Sequence, residues 1–504
     1  MLFLLLRDIT WLDSNMTAPE DYDCDYDAAL NASPMNLSAT SWHDEYSNNP
    51  GFIESQKEFR TLLFETARSA GPTRAASPVD DEGSFSRVEP DRNATTPSSY
   101  IKTVVNTGER VLWLQNYIDE VAPWLDMFDA QQAFGRKVPM LAKTSAPLTY
   151  AILAISARQM ERQKKLPGEH NSLQLYHEAI TSLTPQLQAR DPSILAACVI
   201  LCCLEMMSAA PRNWRKHLDG CAALFESHGI HGFVTGIPEA VFWCYARMGT
   251  LIYNRKTDCQ FFLLIHALDL CASIMSEGKQ SSVLALESWL PPNVLSSEAG
   301  DMFRSSAIAD MYANYAVWLC ARVCHLSWTR RRDHNIPDHD ISRQPFIHRW
   351  HSLWVEVQEW AQKRPEEMRE MDFAADHNPQ TEAFPFILFA APCAISSNQL
   401  YHTSCLLLLD MKPPSIDLAD SRLGSGLWHA RRICGISMTN SHHGCLNNAI
   451  QPLWLAGKLL SHPTEHRLIV NLIKRIEAET GWSGTWRLRD LRDLWGYDKE
   501  DLPL

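Results

Sequence analysis

The chain has 504 residues, 45% of them hydrophobic, and a formal net charge of −13 at pH 7. That length buries a large core. The acidic balance argues against a protein that wraps nucleic acid by itself, because phosphate neutralisation needs clustered Lys and Arg, and the runs Arg330-Arg331-Arg332 and Arg431-Arg432 are too short to supply it.

In chain order, Met1–Leu6 is apolar but is followed at once by Arg7 and Asp8. Six residues are too few for a secretory core or a membrane span, so no membrane partner is expected. Residues 1–99 read as a disordered tail. Acidic residues (Asp21, Asp23, Asp25, Asp27) are interleaved with Trp11, Tyr22, Tyr26, Trp42 and Tyr46, a composition that docks on coactivators through transient helices or stays a solvated tail. Within it Glu54–Ser69 reads as one amphipathic helix, and Pro72, Pro78, Pro90 and Pro97 mark 71–99 as a linker.

From Tyr100 the pattern turns helical, and 100–504 reads as one all-α, multi-helix regulatory domain. Val111, Leu114, Ile118 and Val121 recur at helical spacing. Pro147–Arg162 presents Leu148, Ile152, Ile155 and Met160; Leu173, Tyr176, Ile180 and Leu183 give a third helix. Pro192–Ser208 is apolar nearly all round and must sit centrally. Trp214, Leu218, Cys221, Leu224 and Phe225 give a fifth, ended by Gly229. Further helices are expected at Met302–Ser327, Trp350–Lys363, Phe384–Leu409, Leu423–Asn440, Ala449–Leu460 and Thr464–Glu479, with no alternating strand run.

Fourteen cysteines are present, thirteen of them from Cys198 to Cys445 and mostly in apolar stretches. That is the pattern of reduced, buried thiols rather than of a disulfide framework. The sequence has no nucleophile elbow, His-Glu-x-x-His, P-loop or dinucleotide fingerprint, so no catalytic residue is assigned and no enzyme is expected. His442-His443-Gly444-Cys445 carries metal-capable groups, but they are crowded and lack the four tetrahedral partners of structural zinc, so no metal is assigned. Asp333–Asp340 is rich in Asp and His and reads as a solvated interhelical loop. A binuclear zinc cluster needs six thiolates including Cys-x-x-Cys pairs. No two cysteines stand three positions apart, and Cys24 is the only one before Cys198.

Several blocks follow one another in a recognisable order. Trp113–Asp129 opens the series. Trp214-Arg215-Lys216-His217-Leu218-Asp219-Gly220-Cys221 follows, then Phe242–Met248. Trp428-His429-Ala430-Arg431-Arg432, Gln451–Gly457, Ile473–Trp482 and Leu494-Trp495-Gly496-Tyr497 close it. As an ordered set, over roughly Val111 to Tyr497, they resemble the C-terminal regulatory domain of the fungal-specific zinc-cluster transcription factors. The resemblance implies a nuclear transcriptional regulator of RNA polymerase II genes that controls a metabolic or biosynthetic pathway, or else a cofactor-type regulator that reaches DNA through a partner. It implies coregulators or the transcriptional machinery as partners, promoter DNA by family only, a homodimer and a small hydrophobic ligand. No cofactor is assigned, since the family's zinc cluster is not encoded in this sequence. The residues carried over are structural: Trp214, His217, Leu218 and Gly220 for a helix crossing, with Gly220 permitting close approach, and Trp482, Trp486 and Trp495 for closing the C-terminal bundle. Residues 249–268 interrupt the block order and read as a retained intron or as a genuine insert; the apolar start at Met1 fits the same suspicion about the gene model.

Overall fold

The computed structural model describes residues 49–70, 100–164, 171–189, 191–208, 211–250, 286–306, 308–333, 345–371 and 383–497. The helices, in order, are α1 (Pro50–Ala70), α2 (Tyr100–Val104), α3 (Gly108–Asn116), α4 (Ala122–Leu125), α5 (Val138–Ala142), α6 (Ala146–Lys164), α7 (Asn171–Leu183), α8 (Pro192–Ser208) and α9 (Pro211–His228). Then come α10 (Ile237–Thr250), α11 (Ala299–Ser305), α12 (Ala309–Asp333), α13 (Phe346–Lys363), α14 (Pro392–Asp410), α15 (Gly426–Thr439), α16 (His443–Gly457), α17 (Pro463–Thr480) and α18 (Thr485–Trp495). The fold is all-α, and no strand occurs among the described residues. None of the described helices is long and apolar enough to cross a membrane.

Two helices are buried around their whole circumference. α8 lies among α6, α9 and α10, and α14 lies among α12, α13, α15 and α16. Contact between α10 and α12 joins the two neighbourhoods. α8 has the boundaries its sequence predicts, because its apolar run needs no exposed face: from Ser193 to Ser208 only Met206 is not fully buried.

The helical body begins upstream of residue 100, inside the stretch read as a tail. Phe52, Phe59 and Leu63 of α1 are fully buried, and the helix lies on α9 and α7. An amphipathic helix that finds an apolar partner surface orders against it. The approach is close: a Cβ on Gly220 of α9 would sit 2.8 Å from the Leu63 Cβ. Residues 1–48 and 71–99 lie outside the described residues, as do the loop at 334–340 and positions 251–268 of the suspected insert.

The structure differs from the sequence reading at four other points. Of the four residues that recur at helical spacing, Val111 and Ile118 are 51% and 40% exposed. The buried stripe is Trp113, Tyr117 and Val121, and a π-helical turn at Tyr117–Val121 re-phases the helix there. The helix expected over Met302–Ser327 is two, α11 and α12, broken near Ser306. The helix expected from Phe384 begins at Pro392, at the first turn, where proline's missing N–H costs nothing. The preceding stretch is extended, and the Asn440 amide holds it as a neighbouring strand would: Oδ1 accepts from Phe389 N at 3.1 Å and Nδ2 donates to Ile387 O at 2.8 Å. Gly435 lets this stretch lie directly on α15, since a Cβ there would meet the Pro385 carbonyl. Finally, α18 closes the chain where no helix was anticipated.

Candidate functional site

The ordered blocks of the sequence turn out to be one another's neighbours. Trp124 of the opening block meets Trp482 edge to face, with ring centroids 6.3 Å apart. Glu120 accepts from or pairs with His443 Nδ1 at 2.9 Å. The Met127 sulfur accepts from Ser396 Oγ at 3.2 Å and from the Cys445 thiol at 3.4 Å. Farther along, Trp495 stacks on His466 at 3.8 Å and donates from Nε1 to Gly457 O at 2.8 Å. The fully buried Arg487 is sandwiched between Trp454 and Trp486, 4.1 and 4.0 Å from their ring centres, and donates from Nε to Gln451 Oε1 at 2.9 Å. The half-exposed Arg431 pairs with buried Glu465 at 2.8 Å. Trp482, Trp486 and Trp495 thus sit where the C-terminal helices converge. Trp214, His217 and Leu218 lie in α9, but their side chains fall outside the described part of the structure.

The candidates for metal or redox chemistry have structural partners. His442 caps α16, its Nδ1 accepting from Cys445 N. His443 faces Glu120 as above. Cys198, Cys202 and Cys203 are buried, with the Cys202 and Cys221 sulfurs 3.5 Å apart. The hydrogen bond to Cys221 and burial push the Cys202 thiol well above its ordinary pKa, and burial first of all does the same to Cys198. That keeps both in the unreactive thiol form.

Sequence reasoning missed the polar interior of α14. From Cys393 to Leu408 every residue of this helix is buried, Ser396, Ser397, Asn398, Gln399, His402, Thr403 and Ser404 included. Most find partners. Asn398 Oδ1 accepts from Arg364 at 2.9 Å and its Nδ2 donates to Met368 O. Tyr401 donates to Gln358 Oε1 at 2.9 Å. His402 and His429 face each other, Nδ1 to Nδ1, at 2.8 Å.

That contact fixes both tautomers. His429 Nε2 lies 3.0 Å from Leu423 O, a pure acceptor, so Nε2 carries the proton and Nδ1 accepts. His402 must then donate from Nδ1, which leaves its Nε2 to accept from Arg432 Nε at 3.2 Å. Arg432 in turn pairs with Glu370. The relay runs one way and tolerates neither imidazole in its charged form. Burial holds His402 well below the ordinary histidine range, with His429 and Arg432 adding to the effect, and burial brings His429 to about 4.

One turn away, the cavity enclosed by α10, α12, α14, α16 and the opening block is lined by Phe128, Arg247, Val317, Ser396, Gln399, Leu400, Asn448 and Pro452. Arg247 is only 5% exposed. Its guanidinium lies 5.0 Å from the Phe128 ring centre and donates to Leu125 O at 2.6 Å. Asp126 and Asp310 feel its charge, but the Asp126 carboxylate is taken by the amides of Phe134 and Gly135, both at 2.7 Å, and Asp310 by Ala130 N at 2.6 Å. Among the described residues no carboxylate forms an ion pair with Arg247. Burial raises Asp126 to about 7, against the pull of those two amides. Gln399 Nε2 donates to Ser437 Oγ at 3.0 Å, and its buried Oε1 has no partner.

With this geometry in hand, comparison with known proteins is informative. Residues 112–496 match the model of the fungal specific transcription factor domain. This chain belongs to that family. Among curated proteins it is similar to the transcription activator AMTR1 of Alternaria alternata, 21% identical over 489 residues, an alignment covering 77% of this chain and 63% of that protein. The chain thus spans less than two thirds of that relative's length. No solved structure matches. The matched span starts at Leu112 and ends at Gly496, so the Trp124–Trp482 and Met127–Cys445 contacts join its opening block to its C-terminal part. The family blocks are the packing surfaces of one body.

Proposed function

We propose that this chain is a nuclear regulator of RNA polymerase II transcription that controls a metabolic or biosynthetic pathway, acting as a homodimer through coregulators or the transcriptional machinery. The match to the fungal specific transcription factor domain over 112–496 carries the reading. The name of the Alternaria relative supports activation as its sign. The test is to tether the whole chain to a heterologous sequence-specific DNA-binding module in a fungal cell and read a reporter. A severalfold rise is expected. An unchanged reporter, with the fusion nuclear and folded, contradicts the proposal. Sedimentation of the purified chain checks the dimer.

A second reading is a cofactor-type regulator that reaches promoters only through a DNA-binding partner. The net charge of −13, unfavourable for phosphate contacts, favours it. A gel shift with the purified chain and its target promoter separates the two: binding without a partner sinks the second reading.

A further inference from the structure

We propose that the cavity between α10, α14 and α16 is a binding site for a small carboxylate that also carries a hydroxyl group. The inference goes beyond the transcriptional reading, since no step in it uses DNA or a protein partner.

Two observations point to this chemistry. Arg247 brings a buried guanidinium to the cavity wall; it donates to Leu125 O and interacts with Cys244, and Asp126 and Asp310 act on it without forming an ion pair, so a direct carboxylate partner is still to be gained. A planar carboxylate accepts two parallel N–H bonds from such a fork. Gln399 is 1% exposed and its Oε1 lacks a donor. An amide oxygen only accepts, so what completes it is a donor such as an O–H; Ser396, whose hydroxyl donates to Met127, lies on the same wall and can accept.

The surroundings narrow the class. Asp126 and Asp310 lie within electrostatic range of Arg247, which disfavours a dianionic phosphate and leaves room for one negative charge. The cavity is narrow, with room for on the order of a single water-sized group. A small ligand therefore enters by moving flexible walls; Met127, which touches Ser396, is an unbranched side chain able to yield. A large apolar ligand does not fit this cavity.

Titration calorimetry on the purified full chain at constant ionic strength tests the proposal, with glycolate as the probe and acetate, methyl glycolate and inorganic phosphate as controls. Glycolate is expected to bind at least tenfold tighter than acetate, which lacks the hydroxyl donor. The neutral ester and phosphate are expected to give no binding heat. Arg247→Met abolishes binding of both carboxylates. If that variant does not fold, Gln399→Met carries the test: it lowers glycolate to the affinity of acetate and leaves acetate unchanged. A wild-type chain that gives no heat with glycolate, that binds the ester equally well, or whose Gln399→Met form still prefers glycolate overturns the assignment, as does a glycolate-soaked crystal with only water in the cavity.

Discussion

Two helices of this protein are buried on every side, and they are built in opposite ways. α8 is apolar, and its one charged residue, Glu205, accepts from Tyr176. α14 is just as buried but devotes seven of its 19 residues to Ser, Asn, Gln, His and Thr. Burying α8 stabilises the fold by area, which is non-directional. Burying α14 contributes less by area, but its hydrogen bonds are directional and leave few ways for α13, α15 and α16 to sit around it. One helix holds the body together; the other sets how its neighbours are arranged.

Truncating α8 gives the largest effect expected of this contrast. Leu204→Ala removes a fully buried side chain and is expected to cost about 2–5 kcal/mol in urea unfolding, since a close-packed site relaxes only partly. A loss below about 1 kcal/mol breaks the picture of α8 as a packing element.

His402→Phe keeps the volume at the centre of α14 but removes the relay. Arg432 and His429 each lose a partner, and the expected cost is about 1–3 kcal/mol, with near-ultraviolet circular dichroism changing around Trp428, which meets both rings. An equally stable variant means the relay is idle.

The relay also predicts a pH dependence whose sign is fixed. His402 and His429 are held below the ordinary value of 6.5, His429 at about 4. Below 6.5 the unfolded chain takes up protons that the folded chain refuses, so their contribution is complete above about 6.5 and is lost as pH falls toward about 4. Asp126 and Glu239, raised to about 7 chiefly by burial, act the other way: what they contribute is present below the ordinary carboxylate range and is lost as pH rises to about 7. The difference between wild type and His429→Phe isolates the histidine part. Wild type is expected to lose about 1–2 kcal/mol more than the variant between pH 6.5 and 4; parallel curves would falsify the assignment of neutral imidazoles.

Tyr401→Phe gives the smallest effect. It removes one donor to Gln358 Oε1 and should cost about 1 kcal/mol.

The same contrast explains what could be read in the sequence. α8 was legible to the residue because an all-apolar run has one solution. In the C-terminal blocks, Trp482 and Trp495 are half-buried and pack on Trp124 and His466. The buried face of α3 was not legible because Val111 and Ile118 satisfy the periodicity as well as Trp113 and Tyr117 do, and only the π turn decides between them. α14 was taken as an ordinary helix starting too early, since Phe384–Ala391 is as apolar as a helix interior and the role of Asn440 is non-local. A sequence cue for its polar core did exist: no charged residue occurs between Glu382 and Asp410, yet Ser396-Ser397-Asn398-Gln399 sits in the middle. An uncharged polar run inside an apolar helix marks buried hydrogen bonds. The cavity had no comparable cue, because Arg247 and Gln399 are brought together from helices far apart in sequence.

The central claim, that the polar side chains of α14 act as one connected network, is tested most directly by a double-mutant cycle of His402→Phe and His429→Phe in urea unfolding. A network predicts that the two losses fall short of adding by about 1 kcal/mol or more. Losses that add to within about 0.3 kcal/mol would contradict it and reduce α14 to a helix that happens to be buried.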